Sequence, residues 1–310
     1  MGLLSLDILI PIYNEDEYLD ELFYVLTNLV VPKTMKLRIV ISDNCSTDRS
    51  IEKLKTFKFS CDFELYFQTQ NTGGHQNWTF LLSKIESEYF MIMDAHDSIS
   101  LNYLQEFEKS QLSCEASKAF IGKILRKNNL SNGNFIIHSD PNLTYSENHK
   151  FRFWQLVFNL GHNTLVHSIF KNSPRRVEIL KKSKSLTLDH LITHSGLLDS
   201  NILFGKDSTY TRLYRVILGT DFEHMSSNGL TETRTQRVSG INNKVYDNVN
   251  LPNEILSLPD LNFNKIGKFC AYIILKSKYS QQLFHIFFFK LLRFIFNSVS
   301  SIAKIRLKFY

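Results

Sequence analysis

The sequence predicts an α/β fold with a doubly wound, mostly parallel sheet. Apolar runs typical of strands buried on both faces alternate four times with stretches whose apolar residues recur every three or four positions. The connections between them are short, which favours right-handed crossovers within one sheet. The chain has 310 residues, 43% of them hydrophobic and 21% charged, which fits one large domain with an appendage or two small domains.

The predicted elements follow one another from the N-terminus to residue 125. The predicted strands are 6–12, 37–41, 63–68, 89–93 and 118–125, and the predicted helices are 18–29, 49–57, 78–85 and 101–112. Polar, turn-forming residues follow each of the first four strands. Because ligands of open parallel sheets bind beyond the carboxyl ends of the strands, these loops are the first place to look for function.

The densest chemistry lies in the stretch DAHD, directly after the predicted strand 89–93. Asp94, His96 and Asp97 bring two carboxylates and an imidazole to a buried sheet edge. Such a group is costly unless a cation neutralises it. Mg²⁺ prefers oxygen ligands and Mn²⁺ also accepts a His nitrogen, so the stretch predicts a divalent metal site. The same residues also fit an Asp-capped turn into the next helix, and this stretch alone leaves both interpretations open.

Two further polar loops, at 11–15 and 42–48, are expected at the same edge. Together with 94–97 they predict a nucleotide cleft, in which carboxylates and amides read a base and ribose and a metal holds a diphosphate. The sequence has no GxGxxG or Walker loop, which disfavours a dinucleotide or ATP cradled by backbone N–H groups. Taken singly, SDNCSTD also fits a helix N-terminus with Ser46 or Asp43 as its cap.

The motifs IPIYNE, SDNCSTDRS, NTGG and EYFMIMDAHD, in this order and at this spacing, resemble the family 2 glycosyltransferases, which have a GT-A fold. The resemblance covers residues 6–110 well and extends to about residue 216. It implies that a nucleotide sugar, expected to be UDP-linked, binds at the three loops. The residues implied for donor binding are Pro11, Tyr13, Glu15, Asp43, Asn44 and Asp94.

The sequence departs from the family pattern at two positions. Asn44 replaces the second Asp of a pair, and because an amide donates as well as accepts, the base preference can differ. His96 stands where the second Asp of the metal motif is expected, and Asp97 follows it. The resemblance therefore implies that His96 or Asp97 binds the divalent metal, Mn²⁺ or Mg²⁺, with weakened metal dependence as the other possibility.

Asp189, in the stretch LTLDHLI, is the candidate catalytic base. Inverting members of the family place this group at a comparable point downstream of the metal motif, and the resemblance implies the same role for Asp189. An acid at the start of an amphipathic helix also complements the helix dipole, so this structural interpretation stays open.

The positive charge of the chain is concentrated at its end. The net charge is +6, and residues 261–310 contain nine Lys and Arg but no Asp or Glu. In 282–310 the basic residues form one helical stripe opposite Phe, Leu and Ile, which predicts peripheral contact with an anionic membrane. An amphipathic helix packed on the body or on another subunit is the alternative. No nucleic-acid motif accompanies these charges, so nucleic acid is not an expected partner.

These observations predict a GT-A catalytic domain at 1–216, a variable linker at 217–260 and a basic, amphipathic helical tail at 261–310. The expected function is inverting transfer of a sugar from a nucleotide-sugar donor to a glycan or lipid-linked acceptor in cell-surface polysaccharide synthesis. Four scattered cysteines without metal spacing fit a cytoplasmic protein at the inner face of the membrane. The alternative, motivated by His96, is a catalytically inactive, membrane-associated subunit that binds sugar nucleotides.

Overall fold

The fold is seen in a computed structural model. It describes residues 3–58, 61–112, 119–128, 136–137, 153–155, 157–158, 163–183, 191–193, 195–196, 202–214, 223–225, 231–233, 251–258, 261, 263–279, 288–292 and 294–295. The strands are β1 (Leu4–Ile12), β2 (Met35–Asp43), β3 (Asp62–Phe67), β4 (Tyr89–Ile92), β5 (Ser98–Ile99), β6 (Ala119–Asn128), β7 (Ile136–Ile137), β8 (Phe170–Lys171), β9 (Ile202–Tyr214), β10 (Glu223–Met225) and β11 (Thr231–Thr233). The helices are α1 (Asp16–Asn28), α2 (Ser50–Thr56), α3 (Gly74–Leu82), α4 (Tyr103–Leu112), α5 (Pro174–Lys181), α6 (Leu251–Leu256) and α7 (Lys265–Tyr279), with a 3₁₀ helix at Asn163–His167.

The central sheet has five strands in the order β3-β2-β1-β4-β8. The first four are parallel, and β8 adds to the edge of β4 in the antiparallel direction. Ile12 at the end of β1 pairs with Asp43 at the end of β2, and Leu9 pairs with Ile92 at the end of β4. This register confirms the predicted doubly wound sheet and sends three polar loops out at one edge.

The central strands are buried because both of their faces are covered. Ile8 and Ile10 of β1 and Ile39, Val40 and Ile41 of β2 are all fully buried. Such β-branched residues suit a pleated surface that packs on both sides. Helix α1 covers one face with an apolar stripe that recurs every three or four positions, and its buried residues are Leu19, Leu22, Phe23, Val25 and Leu26.

A second sheet, in the order β5-β9-β6-β7, lies next to the stretch DAHD in the chain. Of its strands the sequence predicted β6, but not the long strand β9. Strands β6 and β9 are parallel, and β5 pairs with β9 through Ser98↔Thr211 and Ile99↔Tyr210. Because β5 begins directly after Asp97, this pairing carries Tyr210 to the site described below.

One buried ion pair ties the amino-terminal half of β1 to β2. Asp7 and Arg38 are register partners, with Arg38 Nε and Nη2 at 3.0 and 2.7 Å from the two carboxylate oxygens. Asp7 also accepts hydrogen bonds from the backbone N–H groups of Glu86 and Ser87 and from the Ser87 hydroxyl. Burial alone raises the pKa of Asp7, but these hydrogen bonds outweigh burial and hold the pKa below its usual value.

We expect Asp7→Asn to lower the free energy of unfolding by about 3 kcal/mol, because it leaves the buried Arg38 charge without its main partner. The difference from wild type shrinks as the pH falls below about 4, since the low pKa of folded Asp7 stabilises the protein only while Asp7 is ionised. Urea denaturation at neutral and acidic pH measures both effects.

The matched control is Asp62→Asn. The Asp62 carboxylate is exposed and lies 3.6 Å from Lys36, so its loss changes stability by at most about 0.5 kcal/mol. Equal unfolding free energies for the two variants contradict the role given to the Asp7 pair.

The predicted boundaries in the C-terminal part are only partly described. Parts of the expected linker lie outside the described residues, namely 217–222, 226–230, 234–250 and 259–260. The same holds for 262, 280–287, 293 and 296–310 of the expected tail. The described part of 261–310 is helical at α7 and at 288–292. None of the described helices is long and apolar enough to cross a membrane.

Candidate active site

The first two loops at the carboxyl edge of the sheet are bonded directly to each other. The backbone N–H of Asn14 donates to Ser46 Oγ at 2.9 Å, and Asn14 Oδ1 accepts from the backbone N–H of Thr47 at 2.8 Å. The backbone N–H of Glu15 donates to Ser50 Oγ at 3.0 Å. Asn14 has a φ of 54°, a conformation that Asn tolerates better than most residues. The two loops therefore form a single wall of the cleft.

The residues expected to contact the nucleoside have different exposures. Tyr13 is 37% exposed, Pro11 is half-buried and Glu15 is buried. Asp43 is fully buried and accepts hydrogen bonds from the backbone N–H and the hydroxyl of Ser46, at 2.9 and 2.5 Å. These bonds close the loop itself; helix α2 begins at Ser50 with Arg49 at its N-cap and no side-chain cap bond, so neither Ser46 nor Asp43 caps the helix. Nucleoside binding by these residues stays a prediction.

Asn44 joins its loop to the NTGG loop. Its Oδ1 accepts from both the backbone N–H and the hydroxyl of Thr72 at 3.0 Å, and its Nδ2 donates to Asn71 Oδ1 at 2.8 Å. Asn71 Oδ1 also accepts from the N–H of Gly73, whose φ of 86° suits glycine. Because one amide both donates and accepts here, an Asp at position 44 cannot make the same set of bonds.

The third loop brings Asp94 and Asp97 to His167. One ligand atom from each of these three residues lies within 4.8 Å of the others. His167 Nε2 is 3.8 Å from Asp94 Oδ2 and 3.9 Å from Asp97 Oδ2. Asp97 and His167 are almost completely buried. From the sequence, Asp94 was expected to contact the nucleotide and His96 or Asp97 the metal, whereas His167 was not expected to bind a metal.

The ring of His167 is held in one tautomer. Its Nδ1 lies 2.8 Å from the backbone oxygen of Ile92, and because a carbonyl oxygen can only accept, Nδ1 carries the proton. Nε2 then offers a lone pair toward the two carboxylates, and it has no hydrogen-bond partner among the described residues. An N–H bonded to a backbone carbonyl is the usual arrangement behind a metal-binding His.

Tyr210 of β9 orients both Asp97 and His167. Its hydroxyl donates to Asp97 Oδ2 at 2.6 Å, and its ring stacks on the imidazole of His167 with centroids 5.1 Å apart. Burial raises the pKa of Asp97, and the charge of Asp94 raises it further, while His167, His96 and Tyr210 oppose this. On balance the pKa of Asp97 is raised.

His96 lies on the other side of the loop, toward Glu15. Its Nδ1 is 3.4 Å from Glu15 Oε1 and its Nε2 is 4.0 Å from Asp97 Oδ1, with the ring edge-on to Tyr18. Burial lowers the pKa of His96, but the bond with Glu15 and the charges of Asp94 and Asp97 outweigh burial and raise the pKa. This contact connects the first loop to the third, as predicted for a single cleft.

The donor set at this edge fits a divalent cation. Ligand atoms bound to one ion at 2.0–2.2 Å lie up to about 4.4 Å apart, so small side-chain rotations can place Asp94, Asp97 and His167 on a common ion. Two carboxylates and one imidazole are a ligand set that suits Mn²⁺, and the oxygens also suit Mg²⁺. Asp189, the predicted base, lies outside the described residues.

Residues 7–173 match the family described as Glycosyl transferase family 2. The chain belongs to this family. The match includes all three loops at the carboxyl edge and reaches His167 and β8, so the predicted family is confirmed.

Two curated relatives are similar to parts of the chain. Poly(ribitol-phosphate) beta-N-acetylglucosaminyltransferase TarS of Staphylococcus aureus (strain Mu50) is 25% identical over 105 residues, which are 34% of this chain and 18% of TarS. Abequosyltransferase RfbV of Salmonella typhimurium (strain LT2) is 31% identical over 107 residues, which are 33% of this chain and 32% of RfbV. The chain thus matches less than a third of the length of either relative.

Solved structures of TarS show the fold. The crystal structure of S. aureus TarS 1-349 in complex with UDP-GlcNAc has a TM-score of 0.60 at 18% identity, covering 89% of this chain and 72% of that chain. The complex of the same fragment with UDP has a TM-score of 0.57 at 17% identity, covering 89% and 71%. This likeness confirms the predicted GT-A fold for this family 2 chain.

We expect Asn44→Ala to loosen the NTGG loop. The variant loses the bonds to Thr72 and Asn71, so the backbone N–H groups of Thr72 and Gly73 should exchange with solvent about tenfold faster or more. Hydrogen–deuterium exchange measures this change.

Asn28→Ala is the control for Asn44→Ala. Asn28 is exposed on α1, and its amide donates to the backbone oxygen of Tyr24. Its removal should leave exchange at residues 72 and 73 unchanged. Unaltered exchange at Thr72 in Asn44→Ala is the outcome that contradicts the proposed connection between the loops.

Proposed function

We propose that this family 2 chain transfers a sugar from a nucleotide-sugar donor to a hydroxyl group of a glycan or lipid-linked acceptor, with inversion at the anomeric carbon. The observation that carries the proposal is the cluster of Asp94, Asp97 and His167 beyond the carboxyl ends of the parallel strands. Two carboxylates and an imidazole close together at this edge, with Asp97 and His167 buried, suit the metal and diphosphate of an activated sugar better than an uncharged ligand.

The donor is proposed to be a UDP-linked sugar. TarS is by name an N-acetylglucosaminyltransferase, and one of its structures was solved with UDP-GlcNAc. In this chain the half-exposed ring of Tyr13 is available to stack on the base, with Pro11 beside it. Asp43 and Asn44 make their side-chain bonds within the protein, so their proposed part is to hold the wall of the nucleoside pocket.

Asp94, Asp97 and His167 are proposed to hold a divalent metal. Such an ion, when bound, offsets the negative charge of the diphosphate. Tyr210 and the backbone oxygen of Ile92 keep two of the ligands in place. The expected metal role of His96 has less support, because its Nδ1 is directed toward Glu15.

The chemical step is proposed as a single displacement. The carboxylate of Asp189 takes the proton of the acceptor hydroxyl while the hydroxyl oxygen forms a bond to the anomeric carbon. The bond between that carbon and the diphosphate oxygen breaks on the opposite face, and the nucleoside diphosphate leaves with the electron pair. Positioned proton transfer of this kind contributes about 10² to 10⁴ in rate.

The proposal also covers the acceptor and the location of the reaction in the cell. TarS is by name a poly(ribitol-phosphate) N-acetylglucosaminyltransferase, which supports a polymer with hydroxyl groups as the acceptor. We place the reaction at the inner face of the cell membrane, with peripheral contact through 282–310, because the chain is basic and apolar there.

The proposal is tested by screening the purified chain against a panel of UDP-, CDP-, GDP- and TDP-sugars and measuring release of the nucleoside diphosphate. We expect release of the nucleoside diphosphate from a single donor of the panel, and we expect this donor to be a UDP-sugar. Asp189→Asn should reduce turnover about 10²-fold or more while the affinity for UDP stays the same.

The control for this variant is Glu178→Gln, which removes an exposed carboxylate on α5 and should keep wild-type turnover. Wild-type turnover in Asp189→Asn removes Asp189 from the proposed role. Tight binding of UDP without turnover for any donor or acceptor favours instead the inactive sugar-nucleotide-binding subunit.

The metal site has its own test. We expect Asp97→Asn and His167→Gln each to lower the affinity for Mn²⁺ at least about tenfold, because each removes one of the two buried ligands from a set of three. Isothermal titration of the protein with Mn²⁺, alone and with UDP, measures this affinity without reference to catalysis.

His75→Gln is the matched control for the metal test, since His75 lies in the first turn of α3 and belongs to no cluster of candidate ligands among the described residues. Its Mn²⁺ affinity should equal that of the wild type. A wild-type protein that binds no Mn²⁺ under either condition contradicts the site.

A further inference from the structure

Helix α7 presents a face that combines lysines with large apolar side chains. Lys265, Lys268 and Lys276 are exposed, and between them Phe269 and Ile273 are 64% and 39% exposed. Spacings of three and four residues place these five side chains on one side of the helix. We refer to Lys265, Lys268, Phe269, Ile273 and Lys276 as the basic face of α7.

The opposite side of α7 is packed against the body. Ala271 and Leu275 are fully buried. Just before the helix, Phe263 packs on Phe153 and Trp154, with ring centroids 5.5 and 5.9 Å apart. The rotation of the helix is therefore set by its buried side, and the basic face points outward because the other side is needed for packing.

A second segment with basic and apolar residues, 288–292, packs on the aromatic side chains around Trp154. The ring of Phe289 stacks on Phe158 at 5.7 Å, and Phe158 in turn stacks on Trp154 at 6.0 Å. In the same segment Lys290 is exposed and Leu291 is 50% exposed. Both segments thus bury one aromatic contact in the body and expose a Lys together with large apolar side chains.

The charges of residues 261–310 indicate which kind of partner fits the basic face of α7. Residues 261–310 contain no Asp or Glu, so the exposed lysines are not balanced within the segment. The surface of a membrane with anionic lipid matches this face. Its apolar layer accepts Phe and Ile, and the anionic layer directly above accepts lysines. Lys side chains suit that boundary because their stems are apolar and their ammonium groups can reach the phosphates.

We propose that the basic face of α7 binds the surface of an anionic membrane, with the helix lying in the plane of the interface. The proposal goes beyond the contact expected for 282–310, because α7 precedes that range and its exposure is seen directly. It is independent of catalysis, since none of the five side chains belongs to the cleft.

The test is sedimentation of the full chain with vesicles of phosphatidylcholine alone or of phosphatidylcholine containing one-third phosphatidylglycerol, at low and high salt. We expect binding to the anionic vesicles only, weakened by salt. Phe269→Ser combined with Ile273→Ser, and Lys265→Glu combined with Lys276→Glu, should each weaken binding roughly tenfold or more.

Matched controls remove similar groups elsewhere on the surface. Tyr24→Ser changes an aromatic ring of α1 that is 63% exposed, and Lys33→Glu combined with Lys58→Glu reverses two exposed charges. Both controls should bind like the wild type. Circular dichroism and UDP affinity show whether the α7 variants keep their fold.

Three outcomes overturn the proposal. The first is a wild-type chain that binds no anionic vesicles. The second is equal loss of binding in the control variants. The third is a wild-type dimer in size-exclusion chromatography that the α7 variants convert to monomer without any change in vesicle binding, which assigns the face to contact with a second copy. Vesicle binding without sugar transfer leaves this proposal standing and counts against the proposed function alone.

Discussion

The parallel register of β1 with β2 and β4 is the constraint on which the rest of the structure depends. Because Ile12 pairs with Asp43 and Leu9 with Ile92, three strands end at one edge and release their polar loops side by side. A one-residue slip in any of these pairings exchanges the side chains of the two buried faces, so the packing on both faces fixes the register. The site is therefore positioned by hydrophobic packing, although its candidate metal ligands Asp94, Asp97 and His167 are polar.

The buried carboxylates at the two ends of the sheet have pKa values shifted in opposite directions. At the amino-terminal end Asp7 has Arg38 and several hydrogen-bond donors, and its pKa is lowered. At the carboxyl end Asp97 has imidazoles and one tyrosine hydroxyl beside a second carboxylate, and its pKa is raised. The first arrangement is complete within the protein and serves stability. The second places a carboxylate of raised pKa among potential metal ligands, a combination that is typical of functional sites.

Hydrogen bonds between loops give this edge its shape. Asn14, Ser46 and Ser50 connect the first loop to the second, Asn44 connects the second to the NTGG loop, and the Glu15–His96 contact connects the first to the third. Glu15 and Asn44, which the family resemblance implies for donor binding, thus also hold the loops together. The amide of Asn44 both donates and accepts in these bonds, which gives a physical reason why Asn44 is not simply exchangeable with Asp.

The sequence by itself determined the alternation of strands and helices, the placement of polar loops after the strands, and the position of Asp94 and Asp97 in the loop after a buried strand. These features follow from periodicity and residue type within short stretches, where local preferences act directly. Tertiary structure decided which distant residues complete the cluster. His167 reaches Ile92 across 75 positions because β8 pairs with β4, and Tyr210 reaches Asp97 across 113 positions because β9 pairs with β5. Such partners depend on strand pairing between remote segments, and no local pattern encodes that pairing.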